Sequence, residues 1–293
     1  MSAVAESLPP PRRRRHRRRI LRRIGINLLG VAVFAIMIFP VYWMVLTAFK
    51  QGDDVLSFTP QFLPSHPTLA NFRDAINREL FWSSVRNSLI VVGSVVVISV
   101  VLAFLAALAL AKFRFYGRRP FVVMVFGVQM IPLAALIIPL YIALSSVGQV
   151  DKLTGVVISY VAFVLPFCVW TLRGFIAGVP KELEEAAMVD GSTRFGAFVR
   201  ILLPLAAPGL VATSIFAFIQ AWNEYIIAYV LLSSASKQTV TIWLANFTTG
   251  TTRGVDWPTL MAGATLTALP VVFFFILVHR RIAFGLTAGA VKQ

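Results

Sequence analysis

Residues 185–204 read EAAMVDGSTRFGAFVRILLP, and this interval lies between two hydrophobic stretches of the chain. Just upstream, Pro180 is preset for a first helical position, and Glu182, Glu184 and Glu185 fall in the turns nearest the positive end of the helix dipole. A helix should begin there. Gly191 follows Asp190 where a helix ends on a residue tolerant of positive φ, and Ser192 can cap a following helix. Pro204 and Pro208 stop that second helix and open the next apolar stretch. The pattern predicts two short helices joined by a glycine hinge and offered as a docking surface. The plainer alternative is an amphipathic loop lying on a membrane.

That a membrane is present follows from composition. With 293 residues, 58% hydrophobic content and a mean hydropathy of +0.81, the chain is too apolar for a soluble domain, in which roughly half the residues are apolar. A span takes about 20 mostly apolar residues. Six stretches qualify, at 24–46, 83–111, 120–145, 153–175, 206–232 and 258–279. The fold class is therefore all-α, a polytopic membrane protein of six transmembrane helices. Residues 1–23 form a basic tail, with 1–11 and the arginine run expected to be mobile, and 24–293 form one membrane domain whose charged loop occupies 176–205. The gap at 47–82 carries Pro60, Pro64 and Pro67. It reads as an extended segment leading into a short helix around Leu69–Leu80, with Asn71, Phe72 and Asp74, available to an external partner.

A net charge of +15 would suit nucleic acid, so the placement of the charges decides. With the N-terminus inside, seven of the 27 Lys and Arg residues lie outside: Lys50, Arg73, Arg78, Arg86, Lys152, Lys237 and Arg253. The rest lie inside, so the positive-inside rule puts both termini and the 176–205 loop in the cytoplasm of a multi-pass cell-membrane protein. The run Arg12–Arg19 is then a topogenic anchor that attracts anionic headgroups, and no nucleic-acid partner is called for. The apolar stretch from Ile24 to Leu46 is too long for a signal-peptide core and lacks a small-residue cleavage pattern. Cys168 is alone, which excludes an intrachain disulfide.

Chemistry is sparse. There is no Gly-x-x-x-x-Gly-Lys-Ser/Thr phosphate loop, so the chain is expected not to be an enzyme and to borrow its energy. His16, His66 and His279 are too scattered for a metal site, and neither metal nor cofactor is expected. One carboxylate, Glu224, falls inside an apolar stretch, and such a group is a functional candidate by default. Thr213, Ala217, Gln220 and Glu224 share one helical face. That face is either the wall of a translocation pathway, together with Asn223, or a polar seam between two spans. In span three Gln129, Pro132 and Pro139 mark a helix more suited to lining a pathway than to facing lipid. No Lys or Arg sits mid-span, which favours a neutral solute.

The register Glu185-Ala186-Ala187, three residues with Asp190 last, Gly191, nine residues, Ile201, one residue, Leu203-Pro204 resembles the EAA loop of permease subunits of ATP-binding-cassette importers. Further matches resemble the carbohydrate branch of these permeases, similar to the smaller six-span subunit of maltose-type importers. They are Asn87-Ser88, Gln129-Met130-Ile131-Pro132, Ile138-Pro139-Leu140-Tyr141, Trp222-Asn223-Glu224 and the ending Gly285 to Lys292. The resemblance implies a cytoplasmic coupling helix that fits a cleft of a separate ATPase dimer, Glu185 pairing with an arginine there. It also implies a second permease subunit, an extracytoplasmic solute-binding protein and a di- or oligosaccharide substrate, with another small solute such as a glycerol-phosphate derivative as the alternative.

Overall fold

The structure is a computed structural model that describes residues 12–55, 57, 59–248 and 255–289. The proline-rich segment 1–11 and the ending Ala290 to Gln293 lie outside the described residues. The helices are α1 (Arg12–Ala48), α2 (Gly52–Val55), α3 (Ala70–Asn77), α4 (Phe81–Lys112), α5 (Arg118–Gln129), α6 (Leu133–Ser146) and α7 (Leu153–Ala177). They continue as α8 (Lys181–Val189), α9 (Arg194–Ala197), α10 (Leu203–Asn223), α11 (Ile226–Leu231), α12 (Val240–Ala245) and α13 (Trp257–Gly289). Among the described residues five helical stretches are long and apolar enough to cross a membrane, and α5 with α6, taken as one bent span, makes six.

Helices α4, α7 and α10 form the centre. Toward the α8 end, Ala103, Phe104, Ala107 and Leu110 of α4 pack with Cys168, Leu172 and Ile176 of α7 and with Leu202, Ala206 and Ala217. Toward the opposite end, Val91, Val92 and Val95 pack with Val156, Tyr160, Phe218, Trp222, Ile227 and Trp243. Lipid is as apolar as leucine, so small residues that let backbones approach do much of the work of joining these helices. The alanines, Ser159 and Thr213 serve this end, and the two hydroxyls donate to the carbonyls four residues back, those of Gly155 and Gly209, each at 2.8 Å. Helix α1 packs along α13, and from Arg22 to Tyr42 its side chains are exposed, as a lipid-facing or partner-facing helix requires.

The arginine run, expected to belong to a mobile tail, is helical from Arg12. Three expectations need correction. Span three is not one helix: α5 and α6 meet at 102°. Pro132 donates no hydrogen bond and pushes Ile131 out of the helical region, so the chain turns there, whereas Pro139 is carried inside α6. Span five does not open at Pro204. The stretch Arg194–Asn223 is continuous, passing through a π-helical turn at Phe198–Leu202 whose wider spacing accommodates the proline that an α-helix would reject. It also stops before 232, at Asn223, and Glu224 is extended, with φ −69° and ψ 131°.

Candidate functional site

The charged loop is built by local rules. Helix α8 starts after Pro180 with Glu182 and Glu184 in its first turn, as the dipole favours. It ends in a Schellman motif: Ser192 N–H donates to Ala187 O (2.9 Å), Gly191 N–H to Met188 O (3.1 Å), and Gly191 has φ +90°. The capping residue of the next helix is Thr193 rather than Ser192, its Oγ1 accepting from Gly196 N–H at 3.0 Å. A threonine one position later leaves Ser192 free to close the preceding helix.

Glu185, Ala186 and Asp190 are exposed and Ala187 is half-buried. Among the described residues Glu185 makes no ion pair or hydrogen bond through its carboxylate. Ile201 and Leu203 are half-buried, Pro204 is exposed, and Leu202 between them anchors the segment in the core. Sequence reasoning missed two features. Val189 at 87% exposure and Phe195 at 74% project as apolar knobs on either side of the hinge. Glu184 pairs with Lys112 at the end of α4, which ties the loop to the bundle across 72 residues that no local pattern could link.

The second site is a cavity of about 550 Å³ opened by the two helix breaks. Gln129, Met130 and Pro132 line it from the α5–α6 turn, Tyr160 and Phe163 from α7, and Gln220 and Glu224 from the end of α10. Three of the four proposed pathway residues are thus brought together. Asn223 is not among the lining residues, its exposed amide donating to Ile219 O at 2.8 Å. Thr213 and Ala217 are buried in helix packing, so the expected four-residue stripe is half seam and half cavity wall.

Glu224 is the pivot. Its Oε1 accepts from Ile227 N–H (2.8 Å) and its Oε2 from Ala228 N–H (3.2 Å), so the carboxylate caps the first turn of α11. The carbonyl freed by the break accepts from Thr241 Oγ1 at 2.9 Å. Thr241, and Tyr160 behind it, are partners that nothing in the sequence pointed to. The acid therefore stands at a helix break and not within a span, and the apolar surroundings are met by backbone donors instead of by a second charge.

The polytopic helical bundle thus carries an exposed charged loop at one end and, among its helices, a largely apolar cavity with a few polar groups, Gln129, Tyr160, Gln220 and Glu224. Residues 99–287 match the family "Binding-protein-dependent transport system inner membrane component". The chain belongs to that family. The permease is similar to the diacetylchitobiose uptake system permease protein DasC of Streptomyces coelicolor, at 44% identity over 92% of this chain and 97% of the relative. It is also similar to the trehalose transport system permease protein SugB of Mycobacterium tuberculosis, at 34% identity over 90% and 96%. In fold it matches a bacterial ABC transporter involved in the import of the acidic polysaccharide alginate, with a TM-score of 0.75 at 22% identity, covering 89% of this chain and 96% of that one. The family is one of transporter components and not of enzymes. The permease is a multi-pass membrane protein of a sugar-type ABC importer, as its sequence suggested.

Proposed function

We propose that the permease pairs with a second, similar subunit in the cytoplasmic membrane and moves a di- or oligosaccharide delivered by an extracytoplasmic solute-binding protein. Both termini and α8 face the cytoplasm, where an ATPase dimer grips the surface around Glu185, Asp190 and Gly191. ATP binds the closed ATPase more tightly than the open one, and that difference in affinity shifts the pore through α8.

The observation that carries the sugar reading is the composition of the cavity. Gln129, Gln220 and Glu224 offer hydrogen bonds beside aromatic walls, and no Lys or Arg lines it. Such a surface suits a hydroxyl-rich neutral solute and disfavours the glycerol-phosphate alternative, whose anion would meet the Glu224 carboxylate. The relatives named for diacetylchitobiose and trehalose uptake support the same class of cargo.

Uptake assays in cells lacking the native permease test it with labelled disaccharides against glycerol 3-phosphate. Glu224→Gln, whose amide group cannot accept the second N–H of α11, and Gln220→Leu are each expected to lower sugar uptake severalfold at equal membrane levels. Unchanged uptake in both variants would return these residues to helix packing. Orientation is tested by labelling single cysteines in a Cys168-free background: Ser234→Cys reacts in intact cells and Ser192→Cys only after permeabilisation. The reverse pattern overturns the assignment of sides.

A further inference from the structure

A second pocket, of about 530 Å³, lies away from this cavity and is lined by Arg118, Arg119, Val122, Val123 and Arg173. Arg118 and Arg119 occupy the first turn of α5, and Arg173 comes from α7, four residues before that helix ends at Ala177. We propose that this pocket binds the phosphodiester headgroup of an anionic membrane lipid in the leaflet at the α8 end of the bundle.

The charge is unbalanced in three ways. Among the described residues the ion pairs are Lys112–Glu184 and Lys237–Asp151, so none of the three arginines has a carboxylate partner. Arg173 Nε is buried without a hydrogen-bond partner, while the guanidinium lies 5.2 Å from the Trp170 ring. Helix α5 begins after Gly117 with no side-chain cap and no acid in its first turn. Two cations therefore stand at the positive end of a helix dipole, the reverse of the favoured sign, and a bound anion reconciles all three groups.

The walls decide which anion. Val122 and Val123 lie one turn on from Arg118 and Arg119 along α5 and line the same pocket, and Val123 is 70% exposed, so an apolar wall leads away from the charged end. Guanidinium forks grip phosphate oxygens through paired hydrogen bonds, and basic pockets between transmembrane helices are recurrent headgroup sites. A soluble anion would use the arginines and leave the valine wall bare, whereas a phospholipid uses both.

Native mass spectrometry of the delipidated permease, with the subunits that purify alongside it, tests the site after addition of equal phosphatidylglycerol and phosphatidylcholine. Phosphatidylglycerol is expected to be retained in preference, and Arg118→Gln with Arg119→Gln to cut that preference by roughly fivefold per arginine. Because Arg118 is half-buried and Arg119 exposed, this pair should leave assembly intact. Arg173→Lys keeps the charge but loses the fork, and should cut the preference while leaving total lipid unchanged. Equal retention of the two lipids, or a preference indifferent to all three changes, overturns the proposal. So does displacement of the lipid by millimolar inorganic phosphate, which would make this a free-anion site. A preference that appears only once the other subunits are stripped away would give the pocket to an acidic segment of a partner and overturn it equally.

Discussion

At the end of the bundle opposite α8, segments far apart in the chain are bonded to one another through several side chains, whereas among the described residues the one side-chain bond from α8 to a distant helix is the Lys112–Glu184 pair. Asp151 accepts from Ser233 N–H (3.1 Å), Ser234 N–H (2.9 Å) and Lys237 Nζ (2.7 Å). The Asn87 amide donates to Ser236 O (2.9 Å) and Gln238 O (3.0 Å), Ser88 Oγ accepts from Val240 N–H (2.8 Å), and Trp243 Nε1 donates to Glu79 O (3.2 Å). The loop between α11 and α12 is thus clamped to α4 and to the α6–α7 turn. Regions with few cross-links open and shift at lower free energy than regions with many. One end is cross-linked many times and the other once, so we expect damage at the first, the frame, to reduce the amount of folded protein and damage at the second, the lever of the proposed coupling, to reduce its work.

The largest effect is expected at the frame. Gly155, in the first turn of α7, lies against the backbone of the preceding turn, and a Cβ there would stand 2.2 Å from Gln149 O. Gly155→Ala should destabilise the permease by about 1–3 kcal/mol or prevent its assembly, since backbone and not a mobile side chain must yield. Gly93→Ala, where an added Cβ meets nothing within 4 Å, is the control and should be neutral or slightly stabilising. Thermal unfolding in detergent compares the two. Equal melting temperatures for both variants would break the comparison at its rigid side.

At the lever the expectation reverses. Gly191 has φ +90° with open space around it, so Gly191→Val costs about 1–2 kcal/mol of local backbone strain and no clash. The permease should still insert and assemble, yet sugar uptake should fall about tenfold or more because the angle between α8 and α9 changes. Glu185→Ala removes a carboxylate with no described partner in the chain, so melting should be unchanged while uptake falls. A loss of assembly in step with uptake would show that α8 belongs to the frame after all.

How far the sequence disclosed these two regions depends on the range of the forces that shape them. The loop was legible because its determinants lie within a few residues of each other: Pro180, the early glutamates, Asp190 and Gly191 act over one turn. Even there the cap was placed one residue early and the π-helical turn was missed, since Pro204 reads as a stop unless the wider turn before it is known. In the apolar stretches, Gln129, Gln220 and Glu224 stood out as polar groups, and Pro132, at the first break, stood out as a residue that suits a pathway wall, although the break itself was not foreseen. The second break had no such mark. Asn223-Glu224-Tyr225 contains neither proline nor glycine, and the helix ends there because Glu224 caps α11 and Thr241, 17 residues on, takes its carbonyl. The Asp151 clamp, whose partners lie more than 80 residues away, left no trace in any local pattern.

That clamp supplies the smallest expected effect, one that sharpens the comparison through pH. Hydrogen bonding from Lys237, then from Ser234, holds the Asp151 carboxyl far below its ordinary value of 3.8. A carboxyl lowered by folding contributes stability that is fully present above its unfolded value and is lost as pH falls through the folded one. Asp151 therefore contributes constantly from neutral pH down to about 4 and progressively less in more acidic solution. Because the clamp is solvent-accessible, salt should weaken it as well. Melting of the wild type and of Asp151→Asn should differ at neutral pH, the wild type higher, and the gap should close only below the ordinary carboxylate range. Among the described residues the Lys112–Glu184 pair at the lever is the counterpart, and Glu184→Gln should change uptake more than melting. A gap for Asp151→Asn that stays constant to the lowest accessible pH would mean that the main-chain bonds, and not the charge on Asp151, hold the frame together.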